Sequence, residues 1–169
     1  MTQLSDHVEA ELSGPKGTSH DLLKFEGPTD FLLVWTANPI SRVHLIKQGV
    51  PARTTLRLAE SLRWNNEILA KRLGLGYSTI KRKIRNEDVL STDEGERVVA
   101  LAGLVGQVEA MVAESGQSEG FDAAGWVSDW LESPNPALNH VRPSEYLDTA
   151  EGRSIVSGLL AQMQSGTYA

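Results

Sequence analysis

From residue 40 to the end of the chain, apolar side chains recur at helical spacing. The sharpest run is Val98, Leu101, Val105, Val108 and Val112, stepping by 3, 4, 3 and 4. Such a seam keeps apolar groups on one stripe of an α-helix. Val99, Leu104 and Met111 widen the stripe, so this helix is expected to be covered on more than one side. Gly103 and Gly106 lie inside it, each costing about 0.8–1 kcal/mol relative to alanine in a helix interior. Close approach of a second helix would offset that cost, either from the same chain or across a dimer axis. Ser91-Thr92-Asp93-Glu94 has the form of a capping box and sets the start of this helix, which is expected to reach Glu114.

The flanking segments read the same way. Val50-Pro51 predicts a helix start, since proline suits the first helical position, with Leu56, Leu58, Ala59 and Leu62 following as its apolar stripe. A second helix runs from Asn66 to Leu73 and is ended by Gly74. A third runs from Tyr77 to about Arg85, with Ser78 or its neighbour as N-cap and Ile80 and Ile84 on its buried face. Asp122 caps a helix carrying Trp126, Trp130 and Leu131, with both tryptophans read as core, and Ser133-Pro134-Asn135-Pro136 stops it. Asp148-Thr149 starts a last helix through Ile155, Val156, Leu159, Leu160 and Met163, which ends at Gly166. The fold class is therefore all-α. A leader over 1–39, read as mobile, precedes a helix-turn-helix unit over 40–90 and a small helical domain over 91–169. Within the leader, Phe31-Leu32-Leu33-Val34-Trp35 is too short to distinguish a strand from a buried turn of helix.

Composition excludes several classes of protein. The 169 residues contain no cysteine, which removes disulfides, thiolate metal sites and a cysteine nucleophile. His7, His20, His44 and His140 are scattered, and no nucleophile elbow, phosphate-binding loop or dinucleotide fingerprint is present. No catalytic residue, metal or cofactor is expected, and the chain does not read as an enzyme. Apolar runs such as Phe31 to Trp35 fall far short of the ~20 residues that span a bilayer. The first residues, Met1 to Asp6, carry no secretory signal pattern, so a soluble cytoplasmic protein is expected.

The net charge of −6 conceals a strong polarity. Residues 1–86 hold 13 basic and 8 acidic residues, a net of +5, whereas 87–169 hold 3 and 14, a net of −11. Such a chain suits two partners of opposite sign, a polyanion at the front and a basic protein surface at the back. The positive charge gathers on a hairpin of helix-turn-helix form. Ala70, Gly74, Leu69, Leu73, Leu75 and Ile80 stand at the small, turn and apolar positions, while one expected apolar position holds Lys83. A helix entering the major groove meets base edges near its N-terminus and phosphates along its basic flanks. That assigns Ser78, Thr79 and Arg82 to base contacts and Lys71, Arg72, Lys81, Lys83 and Arg85 to phosphates. An ordinary αα-hairpin with a solvated basic face fits the same spacing. The coincidence of hairpin and uncompensated charge favours DNA.

Several stretches in order carry a family resemblance. They are Leu45-Ile46-Lys47-Gln48-Gly49-Val50-Pro51, the hairpin from Leu69 to Lys83, Trp130 to Leu138, Arg142 to Gly152, and the ending Gly166-Thr167-Tyr168-Ala169. Over residues 45–169 the chain resembles the antitoxins of RES–Xre type II toxin–antitoxin modules, with an Xre-like helix-turn-helix followed by an Xre/MbcA/ParS-type toxin-binding domain. The resemblance implies a protein that silences a RES-domain, NAD-degrading toxin and represses its own operon through operator DNA. It further implies that the tail Gly166, Thr167, Tyr168 and Ala169 reaches the toxin's NAD pocket, a frayed terminus being the alternative. Pro134, Asn135 and Pro136 form either a toxin-facing loop or a rigid turn. Two-fold operators favour a homodimer within a toxin–antitoxin hetero-oligomer. The competing reading is a stand-alone helix-turn-helix regulator whose acidic half only dimerises or senses a ligand.

Overall fold

The computed structural model describes residues 28–116 and 118–166. Its elements in chain order are α1 (Pro28–Thr36), α2 (Pro39–Gln48), α3 (Thr54–Ser61), α4 (Asn66–Arg72), α5 (Tyr77–Arg85), α6 (Thr92–Glu114), α7 (Ala123–Leu131), 3₁₀ turns at Pro136–Leu138 and Pro143–Tyr146, and α8 (Ala150–Gln164). Among the described residues there is no strand, only isolated bridges pairing Pro51 with Val89 and Asn135 with Val141.

Helix α6 is the axis of the molecule. Its 23 residues rise about 35 Å. Ser91 closes the capping box: its hydroxyl accepts from the Glu94 N–H, and the Glu94 carboxylate accepts from the Ser91 N–H at 2.7 Å. Val98, Leu101, Val105 and Val108 are buried as their spacing requires, and so are Val99, Ala102 and Leu104 on the neighbouring sides. A helix apolar nearly all round must be enclosed, and α1, α2, α7 and α8 enclose this one. Gln107, also buried, ties α6 to α8 by donating to the Ser157 carbonyl at 3.0 Å and accepting from the Ser157 hydroxyl at 2.8 Å.

The second helix that Gly106 calls for is α1. A Cβ at Gly106 would overlap the Phe31 carbonyl and lie 2.8 Å from the Trp35 Cβ. The leader expected up to residue 39 is therefore too long. Phe31 and Val34 are buried against α6, so the Phe31–Trp35 run is helix and residues 28–39 belong to the described fold. Arg42 on α2 fixes this helix by donating to the Val34, Trp35 and Ala37 carbonyls at its C-terminal end. Residues 1–27 lie outside the described residues. One continuous core runs from Phe31 to Leu160 and takes residues from both sides of residue 90.

Two other local expectations are corrected. Helix α3 starts at Thr54 rather than at Pro51. The Pro51 segment instead pairs with the segment around Val89, where Leu90 N–H donates to Val50 O at 2.7 Å and Ala52 N–H to Asp88 O at 3.0 Å. Backbone engaged in that bridge cannot also open a helix. The later start rotates the stripe, so Thr54 and Thr55 are buried and Leu56 is 44% exposed. Helix α5 is entered through Gly76 with no side-chain cap, so Ser78 is the second residue of the helix and not its N-cap.

Candidate nucleic-acid and partner interfaces

The α4–α5 hairpin has the geometry its sequence requires. Asn65 caps α4 by accepting from the Ile68 N–H, and Leu69, Ala70, Leu73 and Ile80 are fully buried between the two helices and α3. Gly74 adopts φ +63°, the left-handed turn that ends α4. A side chain at Gly74 would also press on the Arg97 guanidinium and on Asp148. Arg97 donates from Nη1 to the Leu73 and Gly74 carbonyls at 3.0 and 3.1 Å. These are carbonyls that the end of a short helix leaves without intrahelical partners. The turn is thus clamped from α6 by a residue that nothing in the hairpin's own sequence indicates.

The structure separates the eight expected DNA-facing residues into two groups. Lys71, Ser78, Lys81, Arg82 and Arg85 are exposed, and Thr79 is partly so. Lys81, Arg82 and Arg85 lie on one helix and form no ion pair among the described residues. Arg72 and Lys83 do not belong with them. Arg72 grips Glu132 bidentately, Nε to Oε1 at 2.9 Å and Nη2 to Oε2 at 2.6 Å, with side chains only 19% and 28% exposed. Arg142 joins the same carboxylate at 3.5 Å. Lys83 fills the apolar slot of the hairpin, and its ammonium meets Glu94 at 2.5 Å. A half-buried cation needs a partner, and α6 supplies one through the carboxylate that closes its own capping box.

Glu94 therefore titrates unusually. Burial alone would raise its pKa, but hydrogen bonds from Lys83 and from the Ser91 backbone, with the Lys83 charge, outweigh it and hold the carboxyl below its ordinary value of 4.5. The folded chain thus binds this proton less readily than the unfolded chain. The stabilisation is complete above 4.5 and is lost as pH falls through the lower folded value. Acid unfolding of Glu94→Gln is accordingly expected to show a weaker pH dependence below 4.5 than the parent chain, measured by circular dichroism.

On the other half, Pro134–Pro136 leads into a 3₁₀ turn that Asn135 caps. Asn135 is 6% exposed; its side chain accepts from the Ala137 N–H at 2.9 Å and its N–H donates to Val141 O at 3.1 Å. Asn135 braces this turn, while Pro134 and Pro136 are exposed on either side of it. Gly166 follows α8 at φ +67°, as a helix-ending glycine does. Thr167, Tyr168 and Ala169 lie outside the described residues. No helix among the described residues is long and apolar enough to cross a membrane.

Comparisons with known proteins give the class to which this basic hairpin joined to an acidic helical domain belongs. Residues 41–103 match the Antitoxin Xre-like helix-turn-helix domain, and residues 120–166 match the Antitoxin Xre/MbcA/ParS C-terminal toxin-binding domain. A Sphingobium protein named Prs ADP-ribosylating antitoxin is 44% identical over 142 residues, covering 84% of this chain and 89% of the relative. Antitoxin Xre of Pseudomonas putida is 26% identical over 88 residues, covering 52% of this chain and 50% of that protein. The chain belongs to the Xre antitoxin family, whose members bind a toxin through the C-terminal domain. Helix α1 lies ahead of both matched regions.

Proposed function

We propose that this chain neutralises a RES-domain toxin that consumes NAD and represses the operon encoding the pair, acting in the cytoplasm as a dimer on operator DNA. The observation that carries the reading is the pairing, in one chain, of three cations on α5 that form no ion pair among the described residues with a matched toxin-binding domain of opposite charge. Complementary charge steers a basic toxin to the second without obstructing DNA at the first. The name of the Sphingobium relative refers to ADP-ribosylation. ADP-ribosyl transfer breaks the bond between nicotinamide and ribose in NAD, so an NAD-consuming toxin here fits ADP-ribose transfer with release of nicotinamide. The tail that follows Gly166 is positioned in sequence to enter the toxin's NAD site. There the Tyr168 ring stacks where a base would.

The test is coexpression with the toxin encoded beside this chain, followed by copurification and a growth assay. The full chain is expected to rescue growth and to copurify. Deleting residues 166–169 is expected to restore toxin activity while the complex still forms. Rescue and binding both unchanged by the deletion would remove the tail from the mechanism.

A further inference from the structure

Helix α7 buries a stripe of small and aliphatic residues and carries its two tryptophans at the margin of the core, half-buried and packed against it. Ala123, Ala124, Val127, Ser128 and Leu131 make its buried stripe. The opposite stripe, at helical spacing, is Asp122, Trp126, Asp129, Trp130 and Ser133. An ordinary amphipathic helix places its largest apolar groups on the core side. Here the two indoles stack on each other with centroids 6.2 Å apart and planes 7° from parallel, and both remain partly exposed. Their expected place in the core is thus only half realised. Asp129, between them in sequence, is exposed and has no cationic partner among the described residues. The surrounding domain is acidic: residues 118–166 hold seven carboxylates and two arginines, Arg142 and Arg153, each already against a carboxylate.

We infer that the outer face of α7, centred on Trp126, Asp129 and Trp130, is the surface on which the toxin docks a patch bearing arginine or lysine. This deepens the antitoxin reading and rests on it. The chemistry fits a cation better than an apolar partner. A guanidinium lies favourably over an indole face, and an unpaired carboxylate alongside completes its hydrogen bonds. Stacked, pre-ordered tryptophans lose little conformational freedom on binding, which suits them as anchors of an interface.

The experiment uses the full chain and the toxin encoded beside it, titrated by calorimetry. Asp129→Arg sits at an exposed position and is expected to weaken toxin binding about tenfold or more, while Asp129→Glu stays close to the parent. Trp126→Ala is expected to cost about 30-fold or more. Thermal unfolding of Asp129→Arg and operator binding of all three variants are expected to be unchanged. Asp129→Arg and Trp126→Ala both binding toxin like the parent would overturn the assignment and leave the antitoxin reading standing. Altered self-association with unchanged toxin affinity would also overturn it, assigning the face to a second copy. Failure of the parent chain itself to hold the toxin would sink the antitoxin reading, and this surface with it.

Discussion

Replacing Lys81, Arg82 and Arg85 together by glutamate is expected to abolish operator binding while toxin binding and thermal stability stay near those of the parent chain. All three side chains project from α5 into solvent without an ion pair among the described residues, so nothing inside the fold depends on their charge. Loss of the phosphate contacts from Lys81 and Arg85 is expected to flatten the dependence of log affinity on log salt by about two. Loss of a base contact from Arg82 removes a further ~1–3 kcal/mol of discrimination between operator and other DNA. Reversal introduces repulsion as well, and the combined fall in affinity is expected to exceed about a hundredfold in a gel-shift or anisotropy titration at fixed salt. Lys83 serves the fold instead, through its ion pair with Glu94. Its reversal would place two carboxylates together at Glu94 and damage the fold, so a loss of DNA binding there would say nothing about recognition. Undiminished operator affinity in the triple variant would remove α5 from the interface.

The second large effect concerns two glycines three residues apart on α6. Gly106→Ala is expected to lower the unfolding temperature and loosen α1, because the added Cβ would overlap the Phe31 backbone carbonyl and crowd the Trp35 Cβ. Backbone cannot rotate away as a side-chain end can, so overpacking of about 1–3 kcal/mol or more outweighs the ~1 kcal/mol that alanine returns in helix propensity. Gly103→Ala makes the opposite prediction. Its Cβ would find only the Val34 Cγ1, at 4.0 Å, an ordinary contact, so the propensity gain stands alone. A calorimetric scan is expected to move down by several degrees for Gly106→Ala and up by a few for Gly103→Ala, about 2–4 °C per kcal/mol in a chain of this size. Limited proteolysis is expected to cut ahead of α2 faster in the Gly106 variant alone. Shifts of the same sign in both would show that α1 does not need the gap at Gly106.

These effects divide along a line that also runs through the reading of the sequence. The capping box at Ser91, the reach of α6 to Glu114, the turn at Gly74 and the caps at Asp122 and Thr149 were all legible, because each is decided within one or two helical turns. The start of α3 was not. Proline at position 51 has the local chemistry of a first helical residue, but its segment pairs with residues around Val89, nearly forty positions away. Trp126 and Trp130 read as core on hydropathy, and the helix's packing direction put them at its margin, packed against it but partly open to solvent.

The candidate DNA face divides in the same way. By itself the sequence determined that the fold is helical, where a helix-turn-helix hairpin lies, and that positive charge gathers on it. Apolar period, turn residues and composition need no knowledge of distant neighbours. Which of those cations are free to meet a phosphate was a matter for the tertiary structure. Lys83 answers to Glu94 eleven residues on, and Arg72 to Glu132 sixty residues on. The identity of the helix covering Gly106 was decided there too, since α1 reaches α6 only when the chain folds back on itself. The physical reason is range: a cap or turn is settled by bonds a few residues long. Whether a charge is paired, or a gap filled, depends on what the rest of the chain brings within a few ångströms of it.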